Sequence, residues 1–119
     1  MQKGMPFYLL RGEGLAAFIL AAVLYRTVGG PWLLFILLLL VPDLSALGYL
    51  AGNRVGAVTY NVIHTYVTPL VLAATGFLCR QPVLTQGALI WVAHIGMDRM
   101  LGYGLKYETG FKDTHLNRT

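Results

Sequence analysis

The sequence predicts an all-α integral membrane protein, a four-helix up-down bundle with both termini cytoplasmic. Three observations carry that prediction: an apolar composition, four apolar stretches near spanning length, and a lopsided distribution of basic residues. Of 119 residues, 56% are hydrophobic and only 12% charged, against about 25% charged in an average soluble domain. Too few charges remain to coat a water-facing surface, which argues against both a soluble globular domain and disorder. The single cysteine, Cys79, excludes an intramolecular disulfide framework and a cysteine-cluster metal site.

One transmembrane domain is expected over 1–119, with spans at about 9–28, 32–50, 55–78 and 83–103 and a cytoplasmic tail at 104–119. A hydrocarbon core of about 30 Å takes roughly 20 helical residues; the first stretch reaches that length only when 9–14 join it. Lipid offers the backbone no partners, and none of the four alternates as a barrel strand would, so each is read as a helix. Val28-Gly29-Gly30-Pro31, Gly52-Asn53-Arg54 and Arg80-Gln81-Pro82 punctuate them, and connections this short join antiparallel neighbours. The charges Lys3, Arg11 and Glu13 spread too far inward for a cleavable signal peptide.

Orientation follows from the basic residues. Lys3, Arg11, Arg54, Arg99, Lys106, Lys112 and Arg118 fall on the side of the termini, and only Arg26 and Arg80 fall opposite. That bias places the termini inside. No block of Lys and Arg with interleaved aromatics appears, so nucleic acid is not an expected partner. Membrane lipids and further copies of the chain are.

Ionisable residues within the spans are costly in lipid and should face the bundle interior. Glu13 lies near the start of the first span, Asp43 follows Pro42 in the second, His64 is in the third, and His94 and Asp98 are in the fourth. At helical rise, Asp43 lies roughly 10 Å from the inner boundary, His64 roughly 15 Å, His94 roughly 14 Å and Asp98 roughly 8 Å, one slab reached from three helices. His94 and Asp98 are an i, i+4 pair. Asn61, His64, Thr65 and Thr68 form a polar stripe, while Ser45 and Tyr49 add hydroxyls and Pro42 frees a carbonyl one turn back. Asp43, His64, His94 and Asp98 are therefore candidate ligands for zinc, iron or manganese, since imidazole and carboxylate suit those ions. Glu13 and Asp43 are candidate catalytic groups. Asn61, Thr65, Tyr49 and Arg99 complete the polar site.

Plainer readings exist for each. His64 is then a satisfied interior histidine, His94 and Asp98 an ion pair, and Asp43 a backbone cap. Glu13 pairs with Arg11 or Arg99, Arg54 and Arg99 anchor at headgroups, and Trp32, Trp91 and the tyrosines pack or form an interfacial belt. The Gly- and aromatic-rich segment after the fourth span would fold back as a cytoplasmic cap carrying Tyr103, Lys106, Asp113 and His115.

The stretches Pro42-Asp43-Leu44-Ser45 with Gly48-Tyr49, Tyr60-Asn61-x-x-His64-Thr65-Tyr66, Ala93-His94-Ile95-Gly96-x-Asp98-Arg99, and Gly102-Tyr103-Gly104-Leu105-Lys106 running to Gly110-Phe111-Lys112-Asp113-Thr114-His115 resemble a small bacterial membrane family, domain of unknown function 4260. The resemblance extends from Leu10 to Leu116. It implies a multi-pass, four-helix protein of the bacterial cytoplasmic (inner) membrane and supplies no activity. A Pro-Asp, a separate His and a later His-x-x-x-Asp are also similar to the membrane-bound metal-dependent hydrolases, which implies Asp43, His64, His94 and Asp98 as ligands. Ser45 stands where that pattern has a second acidic residue, and no basic-rich His motif surrounds His64. Three functions stay open: a metal-dependent hydrolase acting on an amphiphilic substrate, a small transporter or channel-like subunit, and a structural membrane protein without catalysis.

Overall fold

The structure, a computed structural model, describes residues 3–107 and 110–118. Helix α1, Met5–Thr27, opens with a proline in its first turn and gives way at Gly29, whose φ of 75° glycine takes without strain. The next expected span is two elements. A short helix α2, Trp32–Leu38, passes into a 3₁₀ helix, Val41–Ala51. Pro42 has no N–H to give an α-helical ladder, and the Asp43 amide donates to the Leu40 carbonyl at 3.1 Å. Eleven residues is long for 3₁₀ geometry, and such a stretch inside a longer rod often marks a functional hinge or a sequence under strain.

The third expected span is two elements as well. Helices α3, Asn53–His64, and α4, Val67–Leu78, meet at an angle of 41°. Pro69 is the cause: its ring clashes with the carbonyl four residues back, that of Thr65, which takes an extended conformation with ψ of 144°. Helix α5, Pro82–Leu101, is unbroken and stops at Gly102, with φ of 96°, where the Tyr103 amide closes back onto the Asp98 carbonyl.

Beyond α5 the chain is not helical, which corrects the all-α expectation. Strands β1, Lys106–Tyr107, and β2, Gly110–Thr114, pair antiparallel as a small hairpin packed on α3. Gly102 and Gly104 let the chain reverse there: any side chain on Gly104 would strike the His115 ring.

Helix α5 is the axis of the molecule. Its middle and last turns are buried, His94, Asp98 and Arg99 included. Helix α1 lies on it through Gly14 and Gly96, so close that a Cβ on Gly96 would sit 2.6 Å from the Gly14 carbonyl oxygen. Between helices in lipid, such small-residue contacts replace the hydrophobic drive that water would supply. A cluster of Ala21, Tyr25, Phe35, Leu89, Ile90 and Ala93 fills the other end.

Two helices, α1 and the Trp32–Ala51 pair, are long and apolar enough to cross a membrane, and the bent α3–α4 pair makes a third if it counts as one span. Leu20, Leu33, Leu37 and Leu50 are among the side chains left exposed on the first two, Leu50 at 87%. An apolar surface of that extent marks a membrane protein. Helix α5, expected as the fourth span, falls short of the apolar standard because it carries Gln86, His94, Asp98 and Arg99, and the surrounding protein covers its polar turns.

Candidate metal centre

Each proline break turns a backbone group toward the polar interior. In an α-helix the Leu39 carbonyl would bond the Asp43 amide. The 3₁₀ turn redirects that amide, and the Leu39 oxygen instead lies 2.6 Å from His94 Nδ1. At the α3 break three of the orphaned carbonyls find side-chain donors, one from the start of α4 and two from α5. Thr68 Oγ1 donates to Val62 at 2.5 Å, Trp91 Nε1 to Ile63 at 2.5 Å, and Arg99 Nη2 to His64 at 2.8 Å. Helix ends inside lipid need such partners, so the break is built and satisfied.

Those constraints hold two imidazoles in place. His64 Nδ1 lies 2.9 Å from the Tyr60 carbonyl, one turn back, and the Tyr60 ring stacks flat on the His64 ring at 3.7 Å. Carbonyls only accept, so both Nδ1 atoms carry the proton and both Nε2 lone pairs face inward. The two Nε2 atoms are 3.1 Å apart. Asp98 Oδ2 is 3.1 Å from that of His94 and 3.4 Å from that of His64; Asp43 Oδ1 stands at the same two distances. All four atoms lie within 4.8 Å of one another. A tetrahedral ion with nitrogen and oxygen ligands at 2.0–2.1 Å spaces them by about 3.3–3.4 Å. The arrangement fits one ion, and imidazoles oriented by carbonyls at their far nitrogens are the usual support for it.

The four candidates differ in access. His64, His94 and Asp98 are buried, whereas the Asp43 side chain is 54% exposed. Asp43 and Asp98 line a polar cavity of about 370 Å³ together with Tyr60, Tyr103, Lys106 and Phe111. On the far side of the 3₁₀ helix is an apolar cavity of about 460 Å³, walled by Val41, Pro42 and Leu44 and by Ile63, Ile90 and Trp91. Three residues per turn sort the segment: residues 41, 42, 44 and 45 reach the apolar cavity, and 43 and 46 the polar one.

The remaining sequence candidates divide. Glu13 is exposed on α1 and outside the four-residue group: with Gly14 against α5, the preceding side chain points about 100° away. Arg99 is no headgroup anchor; it is 6% exposed and donates to the carbonyls of His64 and Tyr103. Arg11 donates to the Met100 carbonyl at 2.7 Å, tying α1 to the end of α5. Asn61 faces the hairpin, giving Nδ2 to the Lys106 carbonyl at 2.7 Å and taking its amide at 2.6 Å, as a neighbouring strand would. Thr65 occupies the break itself. Tyr49 packs edge-on against Phe111, and its buried hydroxyl has no hydrogen-bond partner among the described residues.

Of the tail candidates, Tyr103 and Lys106 line the polar cavity. Asp113 and His115 instead brace the tail: Asp113 takes both arms of Arg118 at 2.7 and 2.9 Å, and His115 Nδ1 accepts the Leu105 amide at 2.7 Å. Burial lowers the His115 pKa below its ordinary value, and the Arg99 charge lowers it further. Lys106 is 6% exposed, its ammonium 3.8 Å from the Phe111 ring centre and 4.7 Å from that of Tyr60. Burial depresses its pKa, Asp98 opposes that shift and Arg99 adds to it.

Sequence reasoning missed Pro69, Trp91 and Tyr60 as parts of the site. Tyr60 was legible as the residue one turn before His64; Trp91 was not, since only the α3 break creates its acceptor.

No curated protein and no solved structure matches the chain. The family whose profile matches is described as a domain of unknown function (DUF4260), and the match covers residues 8–119. The chain, with its apolar helices and its His/Asp cluster, thus belongs to the DUF4260 family.

Proposed function

We propose that the protein is a four-pass membrane metalloenzyme that hydrolyses an amphiphilic substrate, with both termini and the 52–54 turn on the cytoplasmic side of a bacterial inner membrane. The observation that carries the metal is the spacing of Asp43 Oδ1, His64 Nε2, His94 Nε2 and Asp98 Oδ2, five of whose separations are 3.1–3.4 Å. Two lone pairs and two carboxylates converging at that distance call for a cation between them. Zinc, iron or manganese suits such a set, and a bound ion of this kind supplies an acidified water and a Lewis acid.

His64, His94 and Asp98, all buried, would hold the ion. Asp43 would complete the set through Oδ1, and its second carboxylate oxygen, at the cavity wall, would accept the proton of the attacking water and return it to the leaving group. Glu13 takes no part. Four protein ligands fill a tetrahedral shell, so water would reach the ion where the accessible Asp43 carboxylate gives way or the shell expands to five ligands. An apolar cavity and a second one that holds Asp43, Asp98 and Lys106 lie beside it, which supports an amphiphilic substrate. Four crossings are supported by the short connections and by the basic-residue bias.

Elemental analysis of detergent-purified protein tests the metal. About one zinc, iron or manganese per chain is expected in the wild type and close to none in His94→Ala. A wild type that holds no metal, even after loading with each ion in turn, overturns the reading.

A further inference from the structure

We infer that the substrate is an anionic amphiphile, its phosphate or carboxylate held by Lys106 in the polar cavity. This rests on the metal reading above and adds the substrate's charge and the residue that recognises it.

Charge bookkeeping in the polar cavity leads there. Asp43 and Asp98 together carry two negative charges, which a divalent ion cancels. Among the described residues, what then remains on the wall is the Lys106 ammonium, with the buried Arg99 charge acting on it, so their sum with the metal is positive. Lys106 is more than nine-tenths buried, seated between the rings of Tyr60 and Phe111 and fixed at its backbone by both atoms of the Asn61 amide. A chain this short of charge does not bury an ammonium in a cavity without cost. Aromatic faces repay part of that cost, and an oxyanion entering beside the metal would repay the rest.

The test uses metal-loaded protein in maltoside micelles, titrated with dodecyl phosphate, inorganic phosphate or dodecanol, and read by tryptophan fluorescence from Trp91 in the apolar cavity and by calorimetry. Saturable dodecyl phosphate binding is expected in the wild type and in Lys106→Arg, at least tenfold weaker in Lys106→Met, and weaker still when the metal is stripped. Metal content should stay at the wild-type level in both variants, which also shows that they fold. Equal dodecyl phosphate affinity in wild type and Lys106→Met, or equal affinity for dodecanol, overturns the anion site. Inorganic phosphate binding as tightly as dodecyl phosphate overturns the amphiphile. A metal-replete protein that fails these comparisons sinks this inference alone; a protein without metal sinks the metal reading with it.

Discussion

A carbonyl oxygen decides the chemistry of two of the three histidines. His64 and His94 spend their Nδ1 protons on Tyr60 and Leu39, which leaves both Nε2 lone pairs to the centre. His115 shows the opposite use of the same ring, its Nδ1 accepting the Leu105 amide. Protonation of that nitrogen breaks the bond, and burial with the Arg99 field already holds the pKa low. The unfolded tail therefore takes up a proton first. Docking of the tail should be complete above the ordinary histidine value of about 6.5 and weaken as pH falls through the lowered folded value. Hydrogen exchange at the Leu105 amide, corrected for intrinsic rates, should show protection falling with acidity in the wild type and flat with pH in His115→Gln. Protection independent of pH in both proteins contradicts the assignment.

Two prolines do at the level of elements what the side chains need. Pro42 turns a helix into a 3₁₀ segment and frees the Leu39 carbonyl; Pro69 parts α3 from α4 and frees those of Val62, Ile63 and His64. Pro69→Ala should let α3 and α4 join, removing a clash worth about 3 kcal/mol while costing Trp91 and Arg99 their acceptors. Helicity by circular dichroism is then expected to hold or rise, and metal affinity to drop by about tenfold or more. Unchanged metal affinity would show that the break does not position His64. The sequence displayed this only in part. Pro42 beside Asp43 was legible as a disruption, yet the length of the 3₁₀ segment was not, because three and 3.6 residues per turn look alike in a run of apolar residues.

For the whole molecule, the single cysteine reports the topology. Cys79 is exposed in the turn between α4 and α5. Four crossings with cytoplasmic termini put that turn outside, so a membrane-impermeant maleimide should label Cys79 in intact cells, and a cysteine placed at Asn53 should react only after lysis. The reverse pattern inverts the orientation, and labelling of both from one side removes a crossing. Helix α5 makes this measurement worthwhile: it is the least apolar of the long rods and the most enclosed, tolerable in a membrane because protein covers its charges.

Composition alone determined that this chain lives in lipid, since so few charges cannot wet a surface, and Asp43, His64, His94 and Asp98 stood out because ionisable groups at membrane depth are expensive. Spacing along helices also brought His94 and Asp98 together, one turn apart. What only the tertiary structure decided is the meeting of three separate segments within 4.8 Å, the placement of Glu13 outside that group, the burial of Arg99 and the hairpin that carries Lys106 into the cavity. Periodicity reports which face a residue occupies on its own helix. It carries no information about the rotation of one helix against another, which is set here by the contact of Gly14 with Gly96 and by carbonyls released at two prolines.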